Sequence, residues 1–129
     1  MAQEKDWGPG GYDRVIGDRW IYAIGDRLSR FVKVGMVLDE ERIEPRFKEI
    51  QRRHKSRSLE LLACSKVVGV NHEQVEHIEA ATRLWLTRAK SFNFGGETDW
   101  LKASEDYEFE FMQVDLDHAV QAATSFGLL

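Results

Sequence analysis

A tyrosine, a lysine and a cluster of arginines stand close together near the start of this chain. Tyr22 lies in 19-RWIYAI-24, Lys33 in 31-FVKVG-35, and 51-QRRHKSR-57 follows shortly after. Residues 42–57 carry Arg42, Arg46, Lys48, Arg52, Arg53, Lys55 and Arg57 against Glu44 and Glu49, a local +5 in a chain of net charge −4. Guanidinium forks and ammonium groups bind phosphate oxygens. Screening limits each charge to roughly 10 Å, so a basic patch can act inside an acidic whole. The same charges would also suit a solvated helix face. His54, at the end of the run, could join a phosphate contact.

Other groups offer different chemistry. Glu79 is flanked by Ile78 and Ala80, and a carboxylate at the edge of an apolar stripe needs a partner. Glu76, three residues earlier, falls on the same helix face, so the two could share a metal ion. The segment 72-HEQVEH-77 looks like a zinc motif but fails on spacing, because its histidines are five apart and not four. His72/Glu76 and Glu73/His77 are better read as surface i,i+4 pairs. Cys64, the single cysteine, sits in 61-LLACSKVVGV-70 and reads as a buried structural thiol. Residues 97–117 carry net −7, which makes them a candidate contact for a protein partner or a second copy of the chain.

The elements that must position these groups are legible in outline. At 129 residues the chain is one domain in size. It has no apolar run long enough for a membrane span and no secretory leader pattern, so a cytoplasmic location is expected. Residues 1–18 read as a flexible arm broken by 8-GPGG-11, and 19–129 as the domain. Two strands, 19–24 and 31–35, flank a turn at 25-GDRLSR-30. Phe31, Lys33 and Gly35 share one face of the second strand.

A helix runs from about Glu40 to His54, with Ile43, Phe47 and Ile50 as its buried stripe. Arg42, Arg46, Arg53 and Arg57 would follow one another beside it. Pro45 requires that helix to begin close by. Residues 59–70 read as a third strand. Asn71 then caps a second helix, with Gln74 in capping-box register and Val75, Ile78, Ala81/Thr82 and Trp85 facing inward. The stretch 91–100 reads as a loop. The alternation in 107-YEFEFMQV-114 reads as a strand, and Asp115 or Asp117 caps a last helix ending near Phe126. The expected class is α+β: a small central sheet opened by a β-hairpin and flanked by two or three helices, in the order β-β-α-β-α-β-α.

This order resembles the GIY-YIG nuclease superfamily, in particular its compact phage-type branch, where the second motif commonly reads Lys-Ile-Gly. Trp20-Ile21-Tyr22 stands where that family has Gly-Ile-Tyr, and Lys33-Val34-Gly35 where it has Tyr-Ile-Gly. Arg46-Phe47-Lys48-Glu49-Ile50 resembles the start of its first helix, and Glu79-Ala80 the helix glutamate that holds the metal. Asn93 falls where some members carry a structural Asn, and Thr98-Asp99-Trp100 resembles the Thr-Glu-Trp-Phe signature. The resemblance spans residues 19–114. It departs at Trp20, at Lys33, and in spacing: Arg46 follows Gly35 by eleven residues, further than in the family. Arg42, seven after, is the alternative counterpart.

The resemblance implies a metal-dependent DNA endonuclease of phage or mobile-element context that hydrolyses phosphodiester bonds. Tyr22, Lys33, Arg46 and Glu79 would be its catalytic residues. Glu79, with Glu76 as its neighbour, would hold one Mg²⁺ or Mn²⁺, and Arg42, Arg53, His54, Lys55 and Arg57 would contact the DNA backbone. A free phenol has a pKa of about 10, so Tyr22 acting as a base would need a cation nearby, which Lys33 could supply. Two rival functions follow from the same residues: a catalytically inactive nucleic-acid-binding module of this fold, and a regulatory protein-interaction module using the acidic region.

Overall fold

A computed structural model describes residues 15–95 and 100–126 of the chain. The elements are β1 (Gly17–Gly25), β2 (Phe31–Val37), α1 (Ile43–Arg53), β3 (Glu60–Val70), α2 (His72–Arg88), β4 (Phe92–Phe94), β5 (Trp100–Ala103) and α3 (Met112–Phe126). Short 3₁₀ turns at Glu40–Arg42 and Phe109–Phe111 lead into α1 and α3. The strands form one antiparallel sheet in the order β3-β1-β2-β5-β4, so the class is α+β.

The hairpin closes through Asp26, whose carboxylate accepts from the Leu28 amide at 2.9 Å. Arg30 takes the left-handed conformation at φ 66°. Its guanidinium ties the turn to the far side of the fold, donating to the carbonyls of Ser104 at 2.9 Å and Tyr107 at 2.5 Å.

Strand alternation splits the interior into two apolar layers. One holds Ile21, Ala23, Val32, Val34 and Leu101 against Val75, Ile78 and Leu86 of α2 and Met112, Leu116 and Val120 of α3. The other holds Tyr22, Ile24, Val37 and Trp100 against Ile43 and Ile50 of α1 and Leu59. The sheet is therefore covered by two helices on one face and one on the other. No helix among the described residues is long and apolar enough to cross a membrane.

The hairpin, the strand at 60–70, the box of Asn71 with Gln74 (2.8 and 2.9 Å) and the inward stripe of α2 form as the sequence suggests. Pro45 is accommodated in the first turn of α1, which is preceded by a 3₁₀ turn rather than starting at Glu40. Gly17 and Asp18 belong to β1, not to an arm; residues 1–14 lie outside the described part. The last strand is not at 107–114. Phe109 sits in a 3₁₀ turn, and α3 begins at Met112, three residues before Asp115. The sheet's last two strands come earlier: β4 lies inside the stretch 91–100 read as a loop, and β5 starts at its last residue, Trp100, and runs on to Ala103. Their three and four residues are too short for a period-two pattern to show.

Candidate functional site

The sheet is incomplete beside β2, and the cleft forms there. Strand β5 pairs with β2 only at Phe31, Val32 and Lys33. From Val34 onward the outer edge of β2 faces side chains of α2 instead. Arg83 of α2 donates to the Val34 carbonyl at 3.3 Å. Its guanidinium also holds the Glu79 carboxylate at 2.7 Å, with Arg83 13% and Glu79 19% exposed.

The cleft, of about 380 Å³, is lined by Tyr22, Lys33, Gly35, Arg46, Arg53 and Glu79, with Val34, Met36, Glu49 and Ile50 completing its walls. Its polar side chains arrive on four elements, β1, β2, α1 and α2. Tyr22 comes from β1, an interior strand of the sheet, and is 1% exposed. Register places Gly35 directly opposite Tyr22 and Lys33 opposite Ile24. Lys33 is therefore the diagonal neighbour of Tyr22 on the same face, roughly 7–8 Å away backbone to backbone. The first turns of α1 bring Arg46, and the middle of α2 brings Glu79.

Gly35 makes room for the phenol. A Cβ there would lie 2.2 Å from the Tyr22 hydroxyl and 2.4 Å from its Cζ. The hydroxyl is thus pressed against the β2 backbone at the cleft floor. Arg46 is exposed and makes no hydrogen bond or ion pair with another described residue. Its charge is available to an anion.

The remaining sequence candidates divide. Arg53 lines the cleft and is paired with Glu49. Arg42 lies on the 3₁₀ turn, bonded to Asp39 at 3.2 Å, and is not among the lining residues; of the two arginines the spacing left open, Arg46 is the one in the cleft. Glu76 is exposed and held by His72 Nε2 at 2.6 Å. It does not line the cleft, so the shared Glu76/Glu79 carboxylate pair is not formed there. The α1 helix stops at Arg53, so the expected arginine stripe ends too. Lys55 is exposed beyond it. His54 meets the edge of Trp100 at 5.2 Å between centroids. Arg57 folds back over the sheet, with Cζ 4.7 Å from the ring centroids of both Phe31 and Trp100. Its Nη1 is shielded from water and donates to no oxygen; a ring face is the weak acceptor within reach.

Sequence reading missed Arg83. The signal was present, because Glu79 and Arg83 stand at i,i+4 in the favourable order on one helix. Cys64 is half-buried, and burial raises its thiol pKa, consistent with a structural thiol that stays protonated at neutral pH. Asn93 is exposed on β4. Thr98 and Asp99 lie outside the described residues. Of the described acidic residues of 97–117, Glu110 pairs with Arg27, Asp106 accepts from the Ser104 hydroxyl, and Asp115 accepts from the Tyr107 hydroxyl at 2.6 Å; Asp106, Glu108 and Asp115 line one open hollow.

A hard divalent cation fits this donor set in one form only. Among the described residues no group of three or more His, Cys, Asp or Glu side chains converges, so no cage of protein ligands is built. Mg²⁺ and Mn²⁺ held by one carboxylate, substrate phosphate and retained water need none, and Glu79 is a carboxylate placed for that. A second cavity, of about 320 Å³, opens between α2 and α3 near Trp85, Phe92, Asp115 and His118, and shares no lining residue with the cleft. Comparison of the chain with protein-family models, curated proteins and solved structures finds no match.

Proposed function

We propose that the chain is a metal-dependent endonuclease of GIY-YIG type, hydrolysing phosphodiester bonds of DNA in the cleft between β2, α1 and α2. The observation that carries this reading is the convergence of Tyr22, Lys33, Arg46 and Glu79, drawn from four elements, on one polar cleft. Convergence of a phenol, two cations and a carboxylate is what hydrolysis of a phosphate diester requires and what a structural core does not.

Arg46 would grip the non-bridging phosphate oxygens through its planar fork. Tyr22 Oη, at the floor, would take one proton from the water whose oxygen forms the new bond to phosphorus. The bond from phosphorus to the leaving sugar oxygen breaks, and that oxygen gains a proton from solvent. Lys33, diagonal to Tyr22, would favour the deprotonated phenol and add charge against the phosphate. A Mg²⁺ or Mn²⁺ ion on Glu79 would supply charge neutralisation of the phosphate and leaving oxygen. Arg83 holds Glu79 toward the cleft.

The test is nicking of supercoiled plasmid with Mg²⁺ or Mn²⁺, with chelator as control, for wild type and for Tyr22→Phe, Arg46→Ala and Glu79→Ala. Metal-dependent nicking that each variant loses supports the reading. A second reading, an inactive nucleic-acid-binding module, is favoured by the Glu79–Arg83 ion pair, which already satisfies the carboxylate. Intact plasmid in every lane, with a gel shift that weakens with salt, would establish that alternative.

A further inference from the structure

We infer that Arg83 is a positioning residue that makes the cleft take its phosphodiester before its divalent ion. The inference rests on the phosphodiester reading above and concerns the order of binding at that site. Both carboxylates that line the cleft are paired with an arginine, Glu49 with Arg53 and Glu79 with Arg83. The two pairs differ in exposure. Arg53 and Glu49 are 66% and 43% exposed, whereas Arg83 and Glu79 are 13% and 19% exposed. Water and salt therefore screen the second pair far less.

Arg83 is also tied to the sheet. Strand β5 pairs with β2 only as far as Lys33, and at the next residue the Arg83 guanidinium bonds the Val34 carbonyl at 3.3 Å. This second bond keeps the guanidinium beside Glu79 when the carboxylate takes another partner. A guanidinium keeps its proton at any pH of interest, so the positive charge stays as well.

The charge of the cleft then favours an anion as the first arrival. Its lining carries Lys33, Arg46 and Arg53 against Glu49 and Glu79, and Arg83, outside the lining, adds a fourth cation. A phosphodiester brings negative charge into that surplus and meets the exposed Arg46. A divalent ion arriving alone meets the same surplus and a carboxylate already neutralised. Among the described residues no further acidic or histidine side chains converge to hold it. Phosphate oxygens supply what one shared carboxylate lacks. Diester and ion then raise each other's affinity by the same factor.

The experiment follows free Mn²⁺ by its EPR signal during protein titration, with and without saturating dimethyl phosphate, a diester that hydrolyses very slowly. Wild type, Arg83→Gln, Arg83→Lys and Glu79→Gln are compared, and nicking of supercoiled plasmid in Mn²⁺ is scored in parallel. Gln can still donate to the Val34 carbonyl but carries no charge; Lys keeps the charge. The expected result for wild type is Mn²⁺ affinity raised about tenfold or more by the diester. Arg83→Gln should bind Mn²⁺ without diester about tenfold tighter than wild type and lose most of the diester effect. Arg83→Lys should resemble wild type, and Glu79→Gln should bind weakly in both conditions. A merely structural role for Arg83 would loosen the site on substitution and could not tighten it. Unchanged or weaker Mn²⁺ binding by Arg83→Gln overturns the inference, as does wild-type affinity indifferent to the diester. In either case plasmid nicking that Glu79→Gln loses leaves the nuclease reading standing. Mn²⁺ binding that depends on diester and on Arg83, with plasmid intact, overturns the nuclease reading and leaves the inference. No Mn²⁺ binding by wild type in either condition overturns both.

Discussion

Gly35 is fixed by a contact and not by backbone conformation. The Tyr22 hydroxyl occupies the place a Cβ would take, at 2.2 Å, with Cζ at 2.4 Å and Cε1 at 3.0 Å. Gly35→Ala is expected to cost about 1–3 kcal/mol of stability, as overpacking of a filled core does, measured by urea denaturation. Adding Tyr22→Phe should not restore it, because the ring carbons clash as well as the hydroxyl. Full rescue by the double substitution would contradict this packing. At this scale the sequence was informative where residue type and local order coincide: Tyr22, Lys33 and Gly35 follow from the hairpin, and Glu79 from its place on an apolar stripe. Glu76 was misplaced because helical spacing gives a face but not a partner, and His72 takes its carboxylate. Arg57 was misplaced because a stripe persists only while the helix does, and the helix ends at Arg53.

Elements decide how firmly those residues are held. Helix α2 carries both Glu79 and Arg83, and its start is secured by the reciprocal bonds of Asn71 and Gln74. Asn71→Ala is expected to destabilise the protein by about 1 kcal/mol, as loss of an N-cap does, with a lower urea midpoint and an unchanged slope; a midpoint equal to wild type would show that the cap carries no load. Long elements with complete signals were readable from sequence, as α2 and β3 show. The misreading at 107–114 has a specific cause. The alternation of Tyr107, Phe109 and Phe111 overlaps a second pattern, Phe109, Met112, Leu116, Ala119 and Ala123, whose spacing is helical. Packing against β3 and α2 selects the second: Met112 and Leu116 are fully buried, whereas Phe111 is 54% exposed. Gln113, on the first turn of α3, then donates to the Cys64 carbonyl at 2.8 Å and accepts from the Cys64 amide at 3.2 Å. It caps the open edge of β3 there with a side-chain amide, a local block to strand addition.

On the scale of the whole molecule, charge and titration set the conditions for folding and for work. Burial, then the hydrogen bond to Asp115, raises the Tyr107 phenol well above its ordinary range. A group raised in the folded state contributes stability that is present below its unfolded pKa, about 10 for tyrosine, and is lost as pH climbs above that value. Tyr107→Phe should therefore lower stability at neutral pH by on the order of 1 kcal/mol and flatten the decline above about pH 10, followed by urea melts across pH. An equally steep alkaline decline in the variant would contradict that assignment.

The distribution of charge matters more than its total. The cations of the cleft and its flanking strands share one side of the sheet, while the acidic residues of 97–117 that are described are largely engaged with neighbours of their own. The most direct test of the cleft's function is cleavage of an end-labelled duplex by wild type and Glu79→Gln, with Mg²⁺ and with chelator. Cleavage by wild type in Mg²⁺ alone, reduced about 100-fold or more in Glu79→Gln, is the predicted result. Cleavage that persists in chelator, or that Glu79→Gln retains in full, would contradict it.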